Sequence, residues 1–153
     1  MKLKIRIRKF REGDDWKVSN LCRRCISEIN SEDLSEKEVQ FLLDEFSPAG
    51  VKNYAQTSSM YVAMLHDEIA GTGNIMENQI RGVFINPDYL GFGIGRKIMN
   101  YIEGIAKRKG LKSVYLNSSA YAKDFYLKLG YKKNKDFNSP VGVMTKMTKK
   151  LES

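Results

Sequence analysis

The chain has 153 residues, 42% of them hydrophobic and 29% charged, which suits one globular domain over residues 1–153 and excludes a disordered or low-complexity chain. Lysine and arginine number 26 against 18 acidic residues, and the resulting net charge of +8 favours anionic partners without selecting one. No apolar run reaches the length of a membrane span, and the start "MKLKIRIRKF" lacks the continuous apolar block of a secretory signal, so a soluble, cytoplasmic protein with no membrane partner is expected.

Leu3, Ile5 and Ile7 alternate with basic residues, which predicts a strand over 3–10 with one buried face. "GDD" marks a helix start, and Val18, Leu21, Cys22, Cys25, Ile26 and Ile29 form the apolar face of a helix over 14–30. The two cysteines lie on that face. With His66 as the only histidine, a zinc set is not expected, and core packing is the reading for both thiols. "SEKE" opens a second helix in which Ser35 and Glu38 can form a capping box. Ser47-Pro48 ends it and can start another short helix.

"MYVAMLHDEIAGTGNI" predicts two strands joined at "HDE", which places His66 on an exposed turn. After a turn near Glu77-Asn78, "NQIRGVFIN" returns as a strand, interrupted by Gly82 at a bulge or close backbone approach and ended by Pro87. A helix over 95–109, a strand over 113–117, a shorter helix over 120–129 and strands near 131–137 and 141–148 complete the chain. The order is β-α-α-β-β-β-α-β-α-β-β, a mixed α/β arrangement around one sheet. The segment 80–117 has the form of a parallel βαβ unit.

Between that strand and helix lies "PDYLGFGIGRK", with Gly91, Gly93 and Gly95 at alternate positions. Lys97 precedes Ile98 rather than Ser or Thr, so the stretch is not a Walker A loop. Its glycine spacing, and the lack of an acidic residue after "SVYLN", do not fit a dinucleotide fingerprint either. Glycines leading into a helix start can bare backbone amides to a pyrophosphate, with the helix dipole behind them and Arg96 adding positive charge.

The stretches "VFINPDYLGFGIGRKIM" and "SAYAKDFYLKLGY" together resemble the two signatures of the GNAT superfamily, the acyl-CoA-dependent N-acetyltransferases. The second signature is met by Ser119, Ala122, Phe125, Tyr126, Gly130 and Tyr131 in order. The resemblance covers essentially the whole chain. It implies a single domain with a central, mixed, mostly antiparallel sheet flanked by helices, and acetyl-CoA as cosubstrate. It also implies that Leu90, Gly91, Phe92, Gly93, Ile94, Gly95 and Arg96 seat the pyrophosphate, with Ser119, Ala122 and Phe125 contributing to the cofactor site. Two positions depart from the family pattern. Leu90 stands where Arg or Gln is usual, and Ser119 replaces Asn, so the side-chain contacts of those positions are changed.

The activity implied is direct transfer of an acetyl group to a primary amine, on a small molecule or a peptide, in a ternary complex. A backbone N–H at Phe84 or Ile85, splayed by a bulge at Gly82, can meet the thioester oxygen. By resemblance, Tyr126 is the acid for the departing thiolate. The family's basic Glu corresponds to Gln79, which cannot act as a base, so a water relay to solvent or to Glu77 is expected. Glu28, Glu32, Asp33 and Tyr54 are candidates for the acceptor site. The alternative is a non-catalytic acyl-CoA-binding or sensing module of the same fold. No nucleic-acid motif or aromatic-basic stripe is present, so no specific nucleic-acid partner is expected. The resemblance allows a homodimer.

Overall fold

The computed structural model describes residues 4–152, so the expected strand start at Leu3 lies outside them. The strands are β1 (Ile5–Lys9), β2 (Ser59–Leu65), β3 (Glu68–Met76), β4 (Gln79–Ile85), β5 (Ser113–Ser118), β6 (Lys132–Ser139) and β7 (Gly142–Lys150). The helices are α1 (Asp15–Glu28), α2 (Glu36–Glu45), α3 (Pro48–Thr57), α4 (Ile94–Arg108) and α5 (Lys123–Lys128). Short 3₁₀ turns lie at Asn30–Asp33 and Pro87–Tyr89. Two expectations change. Pro48 starts a full helix, absent from the expected order, because Ser47 Oγ accepts from the Gly50 N–H and the proline needs no donor there. The helix expected over 120–129 is confined to Lys123–Lys128, since Ser119 Oγ ties up the Ala122 N–H in a turn ahead of it.

The local signals explain the helix ends. At α2, Ser35 Oγ accepts from the Glu38 N–H at 3.1 Å and Glu38 Oε1 accepts from the Ser35 N–H at 2.9 Å, the full capping box. At α1, Asp14 takes the N-cap position, but its carboxylate turns back to Arg8 and to the Arg11 N–H.

One seven-stranded sheet has the order β1-β2-β3-β4-β5-β7-β6, antiparallel throughout except between β4 and β5. Against one face, Val18, Leu21, Cys22, Cys25 and Ile26 of α1, with Phe46 and Val51, pack on Met60, Val62 and Met64. Against the other, α4 lays Ile94, Ile98, Met99, Ile102 and Ala106. Its close approach depends on glycines in "AGTG" of β3. A Cβ at Gly71 would sit 2.8 Å from Ile98 Cδ1, and one at Gly73 would sit 3.1 Å from Ile98 Cγ2. Ile98 is fully buried there, and truncating it to alanine costs about 2–5 kcal/mol. No helix among the described residues is long and apolar enough to cross a membrane.

The sheet is joined weakly at its parallel seam. Gln79 and Tyr115 are the one register pair between β4 and β5. They are reinforced by Tyr115 N–H to Asn78 O at 3.0 Å and by Tyr115 OH to Gln79 Oε1 at 3.2 Å. Beyond Gln79 the strands part. The wedge between them opens toward their carboxyl ends, where open α/β sheets take ligands. The glycine loop follows one strand and Ser119 the other.

Candidate active site

The β4 edge of the wedge is shaped by a bulge. Gly82 and Val83 together stand opposite Gly73 of β3, and Gly82 has φ +59, a left-handed conformation that suits glycine. Phe84 and Ile85 follow it, half-buried and without a β5 partner. The Cys25 thiol donates to the Ile85 carbonyl at 3.0 Å, and burial pushes that thiol's pKa up to about 12. It is therefore a packed, neutral group rather than a nucleophile.

The loop after β4 is locked before it reaches the glycines. Asn86 Oδ1 accepts from the Asp88 N–H at 2.8 Å, an Asx turn that shapes Pro87–Tyr89. From α1, Arg24 grips Asp88 with both terminal nitrogens, at 2.7 and 3.1 Å, and also donates to Asn86 Oδ1. The hydrogen bonds from Arg24 hold the Asp88 carboxyl below the usual carboxylate range. Glu68 accepts from Asn86 Nδ2 and from the Tyr89 hydroxyl. Sequence reading did not find Arg24, Glu68 or Asn86. "INPD" carried the Asx signal, whereas Arg24 is far away in sequence and had none.

Beyond this clamp the backbone opens. Gly91 and Gly93 have φ +87 and +81, and nothing lies within 4 Å of where a Cβ would sit on either. Gly93 caps α4, whose first intrahelical bond runs from Lys97 N–H to Gly93 O. Among the described residues no carbonyl or side chain accepts from the N–H groups of Leu90 through Arg96, although Ile94 and Gly95 are buried. These amides and the positive end of the helix dipole form an anion cradle. Arg96 is exposed and, among the described residues, has no ion pair. Leu90 and Phe92 point outward, more than 45% exposed.

Gly95 differs from the other two glycines. A Cβ there would fall 2.9 Å from Phe125 Cζ and 3.6 Å from Ile85 Cγ1, so this glycine lets α5 close on α4 rather than shaping a turn. Phe125 leads directly to Tyr126, with ring centroids 5.1 Å apart. Tyr126 is 8% exposed; its hydroxyl has no hydrogen-bond partner among the described residues yet is not sealed from solvent. Burial raises its pKa well above the ordinary tyrosine value, so the proton stays on the oxygen. Tyr131, stacked edge-on against it, instead donates to Glu103 at 2.7 Å. Ser119 Oγ accepts from the Ala122 N–H, and its own O–H remains free to donate.

The glycine loop and Ser119 flank the open end of the wedge, Ile85 and Phe125 both meet Gly95, Ala122 donates its N–H to Ser119, and Tyr126 follows Phe125 in sequence. The structure does not bring Glu77 there. Glu77 sits in the β3–β4 turn with φ +54 and lines a 540 Å³ cavity with Ile105, Ala106 and Lys109, at the C-terminal end of α4. The helix length alone separates it from the glycine loop by about 20 Å. Of the acceptor candidates, Glu28 is paired to Arg24, and Glu32 and Asp33 are exposed in the 3₁₀ turn after α1. Tyr54 packs beneath β4, stacked on Phe46 and donating to Glu45. His66 is on the exposed β2–β3 turn, as expected.

A GNAT acetyltransferase domain model matches residues 30–151. The chain belongs to the GNAT acetyltransferases. Solved structures agree in fold. A GCN5-related N-acetyltransferase from Rhodopseudomonas palustris superposes with a TM-score of 0.87 at 20% identity, covering 99% of both chains. The PaiA N-acetyltransferase from Thermoplasma acidophilum, solved with coenzyme A, gives 0.83 at 21% identity, over 97% of this GNAT chain and 99% of its own. An aminoglycoside 6'-N-acetyltransferase, also in complex with coenzyme A, gives 0.73 at 15% identity over 97% and 98%. Among curated proteins none matches this GNAT chain by sequence.

Proposed function

We propose that this protein transfers the acetyl group of acetyl-CoA to a primary amine by direct attack in a ternary complex. The observation that carries the reading is the row of unsatisfied amides from Leu90 to Arg96, set at the mouth of the β4–β5 wedge, with Phe125, the neighbour of Tyr126, packed on Gly95. The amides of Ile94 and Gly95 belong to buried residues, where a donor without an acceptor is costly, and a pyrophosphate supplies the acceptors the row lacks. The coenzyme A complexes of two structural relatives support the same ligand.

Acetyl-CoA supplies an acetyl group activated as a thioester. The glycine loop and Arg96 bind its pyrophosphate. The wedge orients the chain leading to the thioester, and the β4 bulge presents a backbone N–H near Phe84 to the carbonyl oxygen. Tyr126 holds a proton on Oη and delivers it to the departing sulfur as the new C–N bond replaces the C–S bond. The attacking amine loses its proton to water. Gln79 cannot receive it, and the Glu77 relay has no direct contact with this end of the wedge.

Release of free thiol from acetyl-CoA in the presence of an amine panel tests the reading. Turnover that depends on the amine supports it. Tight coenzyme A binding with no amine-dependent release selects the sensing module instead. Leu90 and the partly engaged Ser119 hydroxyl are the features that favour that second reading.

A further inference from the structure

On the α1–α3 face of the sheet, beside the β4 bulge, lies a polar pair that the steps above do not use. Asn74 of β3 and Arg81 of β4 are register partners. Arg81 Nε donates to Asn74 Oδ1 at 3.3 Å. Asn74 is fully buried, and its Nδ2 has no partner. That nitrogen lies 2.8 Å from the position of a Cβ on Gly82, directly at the bulge.

The guanidinium is as poorly satisfied. Its Nη2 is enclosed without a partner, and among the described residues no carboxylate comes within ion-pair reach of it. Its Cζ lies over the Tyr54 ring, 4.9 Å from the centroid. Glu45 is taken by the Tyr54 hydroxyl instead. A half-buried positive charge with one of its donor groups used, next to a buried amide with a free N–H, is expensive to maintain unless an anion completes it. A carboxylate fits best, because the planar fork of arginine matches its geometry and the Asn74 N–H adds a further donor.

We infer that Arg81 and Asn74 form a subsite for a carboxylate on the acceptor, so that the substrate class is a small amine that also carries a carboxylate, an amino acid in the broad sense. This rests on the transfer reading above. It places the acceptor's anionic end beside Gly82 on the helix face, with its amine directed along β4 toward Phe84. A polyamine acceptor would put further positive charge against Arg81.

Matched acceptors test it: 4-aminobutanoate against butylamine, and lysine against 1,5-diaminopentane. Two measurements are made on the wild type and on Arg81→Met, a substitution that keeps the stem packed on Tyr54. One is thiol release from acetyl-CoA, and the other is calorimetric binding of each compound to protein saturated with coenzyme A. The inference requires the carboxylated member of each pair to bind and react at least tenfold better in the wild type, with the ratio collapsing toward one in Arg81→Met. Equal ratios in the two proteins, or a preference for the diamine, overturn the subsite and leave transfer intact. A calorimetric preference for the carboxylates that depends on Arg81, without thiol release from any acceptor, upholds the subsite and sinks the transfer reading.

Discussion

The Phe125 ring occupies the space a side chain at Gly95 would need, 2.9 Å from an ideal Cβ to Phe125 Cζ. Gly95 lies within α4, where alanine is intrinsically favoured over glycine by about 1 kcal/mol. Overpacking against the ring opposes this by about 1–3 kcal/mol. Gly95→Ala is therefore expected to lose about 1 kcal/mol net, seen as a lower Tm, and Phe125→Leu in the same chain should restore it. A Tm above wild type in the single variant would show that the ring yields freely. At Gly91 and Gly93 the same substitution meets no atom, and its cost comes from the positive φ alone.

Tyr126 and Tyr131 stack on each other but use their hydroxyls differently, which separates catalysis from stability. Tyr126→Phe removes a hydroxyl with no protein partner, so Tm should hold while kcat falls about 100-fold. Tyr131→Phe leaves Glu103 with Lys149 as its remaining partner at 2.8 Å, and should lose about 1.5–3 kcal/mol of stability. In the proposed transfer the acid form of Tyr126 is the active one, and burial raises its pKa above the ordinary tyrosine value near 10. Wild-type kcat should therefore show no alkaline fall from this group up to about pH 10. A fall in Tm as large as the fall in kcat for Tyr126→Phe would mark it as a packing residue.

Arg24 holds the glycine loop from a distance through Asp88 and Asn86. Arg24→Ala frees Asp88 and loosens the Pro87–Tyr89 turn, so the amides must be ordered by the ligand itself. The expected result is a rise of roughly tenfold in KM for acetyl-CoA with a smaller change in kcat, the signature of lost ligand positioning. Arg24→Lys should recover only part, since a single ammonium cannot grip the carboxylate with two nitrogens. An unchanged KM in Arg24→Ala would mean that the Asn86 turn and Glu68 suffice to hold the loop.

Glu77 lies against the C-terminal end of α4, away from the glycine loop. Its replacement by glutamine should leave the pH–rate profile and kcat within about twofold of wild type, a change too small for loss of a general base. A shifted acidic limb would restore it to the proton path and demand a water chain along β4.

The elements that sequence reading captured are those with local causes. Ser35 and Glu38 cap a helix, Pro87 ends a strand, and Gly82 marks a bulge, each within a few residues of its effect. The glycine loop and the "SAYAKDFYLKLGY" helix were legible as paired signatures for the same reason. What escaped depends on register and distant packing. Arg24 reaches Asp88 only because α1 crosses the end of β4, and Asn74 meets Arg81 only because of how β3 and β4 align around the bulge. The α3 helix was signalled by Ser47 and Pro48, but its following sequence "AGVKNYAQT" has a weak apolar stripe. The two roles of the glycines were also hidden, since Gly91 and Gly93 are set by φ and Gly95 by a ring arriving from α5.

Asp14 ties the start of α1 to β1, accepting two nitrogens of Arg8 at 2.8 and 3.1 Å and the Arg11 N–H at 3.0 Å. Burial opposes its charge, but the Arg8 hydrogen bonds and the Arg11 N–H outweigh this and lower its pKa. A carboxyl whose folded pKa lies below its unfolded value near 3.9 stabilises the fold above that value. The contribution disappears as pH falls through the folded pKa. At pH 7 Asp14→Asn should lose about 1.5–3 kcal/mol, the worth of charged hydrogen bonds. As pH falls below about 4 the gap should narrow, because the unfolded chain then takes up a proton that the folded Asp14 resists. Urea unfolding at pH 7, 5, 4 and 3 measures the gap, and a constant gap across that range would show that the asparagine disturbs packing rather than charge.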